Sequence, residues 1–155
     1  MATGELESFR RFIFSTIDQL IGALDGLDEK GLNWRPPAPE TNSLYGIAMH
    51  VLGNAEENLL ATLCGQPFKR NRPGEFAARG KSANDASAEW MVLRDRIDRA
   101  FAELPPDALD RERRHPRRGA VTGREVLQVV SRHAAEHWGE AQLTKNLLKA
   151  TIGGA

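Results

Sequence analysis

Four stretches of this chain repeat their apolar residues every three or four positions, and Gly- or Pro-rich segments separate them. The first runs from Glu5 to Leu24 and carries Leu6, Phe9, Phe12, Ile13, Ile17, Leu20, Ile21 and Leu24. A period near 3.6 gathers such residues on one helical face, which needs a partner to bury it. Gly26, Gly31, Pro36, Pro37 and Pro39 then stop the helix, because proline lacks the backbone donor and clashes with the preceding turn. The second stretch opens where Asn42 or Ser43 can cap free N–H groups. Its stripe is Leu44, Ile47, Ala48, Val51, Leu52, Ala55, Leu59 and Leu63, ending near Gly65. The third runs from Asp85 to Leu104 with Ala86, Trp90, Leu93, Ile97, Ala100, Phe101 and Leu104 on one face. The fourth opens after Thr122, where Glu125 three residues on completes a capping box. It continues through Val126, Val130, Ala134, Ala141, Leu147 and Leu148 and ends before the closing "GGA".

No segment of convincing length alternates with the period of a strand, and no internal repeat is present. The expected fold is therefore all-α: one domain over residues 1–155, built as a four-helix bundle. Two connections, "GQPFKRNRPGEFAARGKSAND" and "PPDALDRERRHPRRGAVTG", are long and irregular in pattern. Loops of that length are uncommon unless they cross the molecule or have work to do, so crossovers are expected.

The totals exclude several classes. Lys plus Arg equal Asp plus Glu at 21 each, giving no general drive toward nucleic acid or an anionic membrane. The basic run "RERRHPRRG" is the one hint of DNA binding, and it comes with no recognition-helix motif. No apolar run approaches the roughly 18 residues that would span a bilayer, and "MATGELESFRRF" does not read as a secretory signal. The single cysteine, Cys64, cannot form an internal disulfide and suits a reducing cytoplasm. The expectation is a soluble cytoplasmic protein without nucleic-acid or membrane partners.

Two of the four histidines, His133 and His137, stand one turn apart in "VVSRHAAEHWGEAQL". At 100° per residue they lie about 40° apart and flank the centre of the apolar stripe. Unpaired ring nitrogens in an apolar groove are costly. Convergence on one divalent cation resolves that cost; so does a hydrogen bond from one ring to a carbonyl with the other ring partly exposed. His50, in "LYGIAMHVLGNAEENLL", falls away from the centre of its own stripe, on the side of Gly46, Gly53, Asn54 and Glu57. That side is either an exposed polar face or one that lines a groove. His115, before Pro116 in the basic connection, reads as a solvated loop residue.

"NWRPPAPETNSLYGIAMHVLGNAEENLL" and "VLQVVSRHAAEHWGEAQLTKNLL" together resemble the DinB/YfiT-like family of four-helix metalloproteins, and the resemblance spans nearly the whole chain. It implies a metal-binding triad of His50, His133 and His137 holding one divalent ion, zinc or nickel, with further positions open to small ligands. It also implies a thiol-dependent transferase, in which the metal activates a low-molecular-weight thiol against a small electrophilic substrate. Hydrolysis, or a stress-related binding protein with a structural metal, stands as the alternative. A homodimer is the expected assembly.

Other residues could contribute to such a site. Glu57, Glu136 and Glu140 lie near the histidines in sequence, and Glu140 is the favoured partner to orient an imidazole or act as a base. Arg132 and the loop arginines Arg111, Arg113, Arg114, Arg117 and Arg118 could receive a thiol's carboxylates, although loop arginines are usually solvated. Trp34 and Trp90 read as packing residues, and Trp138 as a pocket wall or partner contact. Cys64, about 20 Å along the helix axis from His50, reads as a small buried residue rather than a ligand or nucleophile.

Overall fold

The computed structural model describes residues 4–153. Helix α1 (Gly4–Gly22) leads through a short α2 (Glu29–Asn33) to α3 (Leu44–Ala55), which continues as a π-helical segment, Glu56–Leu63. A short α4 (Arg72–Ala77) precedes α5 (Ala83–Ala102), and a hairpin of β1 (Glu112–His115) and β2 (Gly119–Thr122) leads into α6 (Gly123–Gly153). The helix starts follow from their caps. Ser43 Oγ accepts from the Gly46 N–H, Ser82 and Asp85 form a capping box on α5, and Thr122 and Glu125 bond reciprocally at the start of α6.

Contacts between the long helices set the layout. Arg124 of α6 pairs with Glu5 at the start of α1, and Lys145 reaches the Ala23 carbonyl beyond its end, so α1 and α6 run parallel. Arg10 with Asp98, and Asp18 with Trp90, make α5 antiparallel to α1. Gly123 lies against Leu63 while His133 meets His50, making α3 antiparallel to α6. Gly80 abuts Tyr45 and Arg96 pairs with Glu56, so α3 and α5 run the same way. The bundle is therefore up-down-down-up in chain order.

That topology explains the long connection after α3. Neighbouring parallel helices of about 20 residues need a connector that returns roughly 30 Å, and residues 64–82 make that return. On the way they fold α4 across the face of α3 that carries Gly46 and His50. A Cβ at Gly46 would come within 3.3 Å of the Phe76 carbonyl oxygen. The connector is pinned at its far end by Asn33, whose amide donates to the Gly80 carbonyl and accepts from the Gly80 N–H.

Of the two readings of the His50 side, the exposed one fails: from Leu44 to Ala55 every residue but half-buried Gly53 is buried, because α4 covers the side that periodicity left polar. Other expectations are corrected. The connection after α5 is not wholly irregular; Glu112 pairs with Thr122 and His115 with Gly119 in an antiparallel ladder. Gly119 sits at φ 75°, which glycine adopts without strain. In α1, Phe14 rather than Phe12 is buried, and Phe12 is 50% exposed. Likewise Leu148 is buried in α6 and Leu147 is not. Helix α6 reaches Gly153, and the rest of the closing "GGA" lies outside the described residues. Among the described residues no helix is long and apolar enough to cross a membrane.

Phe14 meets Trp90 edge-on with ring centroids 5.4 Å apart, and the buried indole N–H donates to Asp18 at 2.7 Å. Trp90→Ala should lower the unfolding free energy by about 3–5 kcal/mol. Asp18→Ala, which leaves the buried indole N–H unpaired and also removes an exposed ion pair with Arg94, should cost about 1–3 kcal/mol. Urea denaturation of both variants checks the ranking.

Candidate metal centre

Antiparallel packing of α3 on α6 brings His50 against the turn that carries His133 and His137. One ligating nitrogen from each of the three rings lies within 4.8 Å of the others. The Nε2 atoms of His50 and His133 are 3.0 Å apart. Nitrogens that ligate one zinc at about 2.0–2.1 Å in a tetrahedral site stand roughly 3.3 Å from each other, which lies between the 3.0 Å of this pair and the 4.8 Å bound on the cluster. The donor set fits a divalent cation of the zinc or nickel type: three neutral imidazoles, with no fourth His, Cys, Asp or Glu grouped with them among the described residues.

Two of the three rings, His50 and His137, have their Nδ1 against a carboxylate. His137 Nδ1 lies 2.6 Å from Glu140 Oε2, and the Asn42 amide reaches the other Glu140 oxygen at 3.4 Å. The hydrogen bond from His137 holds the Glu140 carboxyl below its ordinary range despite burial. His50 Nδ1 lies 2.9 Å from Glu75 Oε2. Burial pushes Glu75 up, but hydrogen bonds from His50 and Arg70 outweigh it and hold the carboxyl at about 2. Glu75 and Arg70 come from the connector over α3, and sequence reading missed both. Neither lies on a periodic face, and 20 or more residues separate them from His50.

Arg70 is the hub of this buried network. It donates to both Glu75 oxygens at 2.7 and 2.8 Å and to Glu57 Oε2 at 3.2 Å. Glu57 also receives Arg117 from the hairpin turn. Above the site, the Phe76 ring stacks on His50 at 4.2 Å between centroids, and the Arg72 guanidinium lies over Phe76. His50 is only 3% exposed, whereas His133 and His137 are half-buried. The cluster is therefore more tightly enclosed on the α4 side than on the α6 side.

The remaining expected residues lie elsewhere. His115 is not a solvated loop residue: it is 2% exposed, with Nδ1 accepting from the Arg117 N–H. Of the arginines that could receive a thiol's carboxylates, Arg111 pairs with Asp107 and Arg113 donates to the Leu63 carbonyl. Arg132 and Glu136 face each other on the surface. Trp138 packs partly against the core and lines a groove between α1 and α6. Cys64 is half-buried, and burial pushes its thiol up to about 11. A groove of about 750 Å³ between α3, α4 and α5 touches Glu75 but none of the three histidines.

Burial, reinforced by the neighbouring imidazoles, drives His133 down to about 3, and burial also lowers His50. The folded protein therefore keeps these rings neutral where the unfolded chain, titrating near 6.5, takes up protons. Stability is full above pH 6.5 and falls as pH drops from there toward 3, at up to about 1.4 kcal/mol per pH unit for one such histidine. Glu75 extends the loss below pH 4.5. Urea midpoints of the metal-free protein should fall between pH 7.5 and 5, less steeply in His133→Gln. An unchanged midpoint over that range contradicts the assignment.

No curated protein matches the chain. The family model of the DinB superfamily matches residues 15–141, about four fifths of the sequence, and the matched span contains His50, His133, His137 and Glu140. With the helical bundle and the histidine cluster in agreement with that match, the chain belongs to the DinB superfamily.

Proposed function

We propose that His50, His133 and His137 hold one divalent metal ion, zinc or nickel, and that the site activates a low-molecular-weight thiol for transfer to a small electrophile. The observation that supports this reading is a cluster of three imidazoles, covered on the α4 side and less buried on the α6 side, with no fourth ligand grouped with them among the described residues. Structural zinc sites are usually closed by four protein ligands, whereas catalytic ones keep a position free. A bound divalent ion supplies Lewis acidity, lowering the pKa of a thiol or water in that free position.

The chain's own residues have separable roles in this reading. His50 is the fixed ligand, enclosed by Phe76 and Glu75. His133 and His137 complete the triad from α6. Glu140 keeps the His137 proton on Nδ1, leaving Nε2 for the metal, and its half-exposed position also suits it to take a proton from an incoming thiol. No internal cysteine competes as the nucleophile, since Cys64 stays a thiol at neutral pH. The nucleophile therefore comes from outside the chain. Action as a homodimer in the cytoplasm is part of the same proposal.

Cobalt(II) substitution tests the reaction class. Adding a small thiol to the cobalt-loaded protein should produce a sulfur-to-cobalt charge-transfer band, and an activated aryl halide or epoxide should then be consumed only in its presence. Glu140→Gln should slow that consumption about 10- to 100-fold. A cobalt spectrum indifferent to every thiol tried would instead support a structural metal in a binding protein.

A further inference from the structure

We propose that Glu75, clamped by Arg70 and seated in the notch left by Gly53, is the positioning residue that fixes which nitrogen of His50 faces the metal. The inference rests on the metal reading above and concerns residues outside the triad.

Either ring nitrogen of a neutral histidine can carry the proton, and only the other can ligate. At His50 the choice is made by what faces Nδ1. Glu75 Oε2 lies 2.9 Å away, and an ionised carboxylate only accepts. The proton must therefore sit on Nδ1, leaving the Nε2 lone pair toward His133. Arg70 Nη2 is 3.2 Å from the same nitrogen, and could donate to it if Nδ1 were bare. Its better-placed acceptor is Glu75 Oε2 at 2.8 Å, with the His50 carbonyl at 3.4 Å. Removing the carboxylate would free Arg70 to donate to Nδ1 and favour the wrong tautomer. The same pair thus sets the ring correctly with Glu75 present and wrongly without it.

The carboxylate is held by shape as well as charge. The side chains of Arg70, Glu57 and Glu75 are only 5%, 7% and 10% exposed, so the ion network is shielded from solvent. A Cβ added at Gly53 would lie 2.1 Å from Glu75 Oε1 and 2.6 Å from its carboxyl carbon. Gly53 is within α3 and has no positive-φ requirement. Its lack of a side chain is what lets Glu75 reach past the helix to His50. A methyl group there collides with the far end of a flexible side chain, so the carboxylate moves while the helix stays.

The test uses Gly53→Ala, Glu75→Ala and Glu75→Gln in the full-length protein. In the metal-free wild type, ¹⁵N–¹H correlation through the imidazole should show His50 protonated at Nδ1. Gly53→Ala and Glu75→Ala should shift it toward Nε2–H. Zinc competition against a chromophoric chelator should show both variants weakened about 10- to 100-fold. Glu75→Gln, which retains an acceptor oxygen, should recover part of the loss. Thermal unfolding of each metal-free variant identifies any that fail to fold. Nε2–H His50 in the wild type overturns the inference, as does an unshifted tautomer in a folded Gly53→Ala or Glu75→Ala variant. If the wild type shows the Nδ1–H tautomer but takes up no zinc, the metal reading fails while the tautomer data still judge Glu75.

Discussion

The packing of α3 against α6 fixes the candidate site. Because the two helices run antiparallel, residues thirteen positions before Leu63 meet residues ten to fourteen after Gly123, and this register sets His50 opposite His133 and His137. Desolvation lowers the basicity of His50 and His133, and neighbouring imidazoles add to it at His133, so these two rings are held neutral. The inward nitrogens of the cluster need either hydrogens to share or a cation to bind. The hydrogen bond available between His50 and His133 accounts for one of these contacts and leaves His137 Nε2 unassigned.

The parallel arrangement of α3 and α5 supplies the rest. It obliges the chain to cross the length of the bundle after Leu63. The crossing segment provides the residues that finish the site from outside: Arg70, Glu75 and Phe76. A simple up-and-down bundle would need only a short turn there, and His50 would face solvent. Topology therefore sets the electrostatics. The most buried ligand is enclosed by a carboxylate–guanidinium pair, while the two α6 ligands lie toward solvent with Glu140 beside them.

Much of this was legible in the sequence, and the exceptions have physical causes. The four long helices follow from periodicity because each buries one stripe. The spacing of His133, His137 and Glu140 places all three near one helical face, so their proximity could be anticipated. His50 was placed by family resemblance, whereas the periodicity of α3 counted against burial. A helix covered on all sides does not announce that in a one-faced apolar pattern, particularly when the covering element is six residues of "RPGEFA". The hairpin was missed because its strands, "ERRH" and "GAVT", are short and the first is charged, with no apolar alternation to read. Gly53 carried a signal, a glycine inside a helix, whose reason emerges only when Glu75 is seen against it.

The central claim is that the three histidines form one metal site, and metal stoichiometry tests it most directly. Elemental analysis of the purified protein after equilibration with zinc or nickel and removal of free ion should give one equivalent per chain. His50→Ala, His133→Ala and His137→Ala should each lose it while remaining folded. A folded wild type that retains neither metal, or one whose metal survives all three substitutions, would contradict the account.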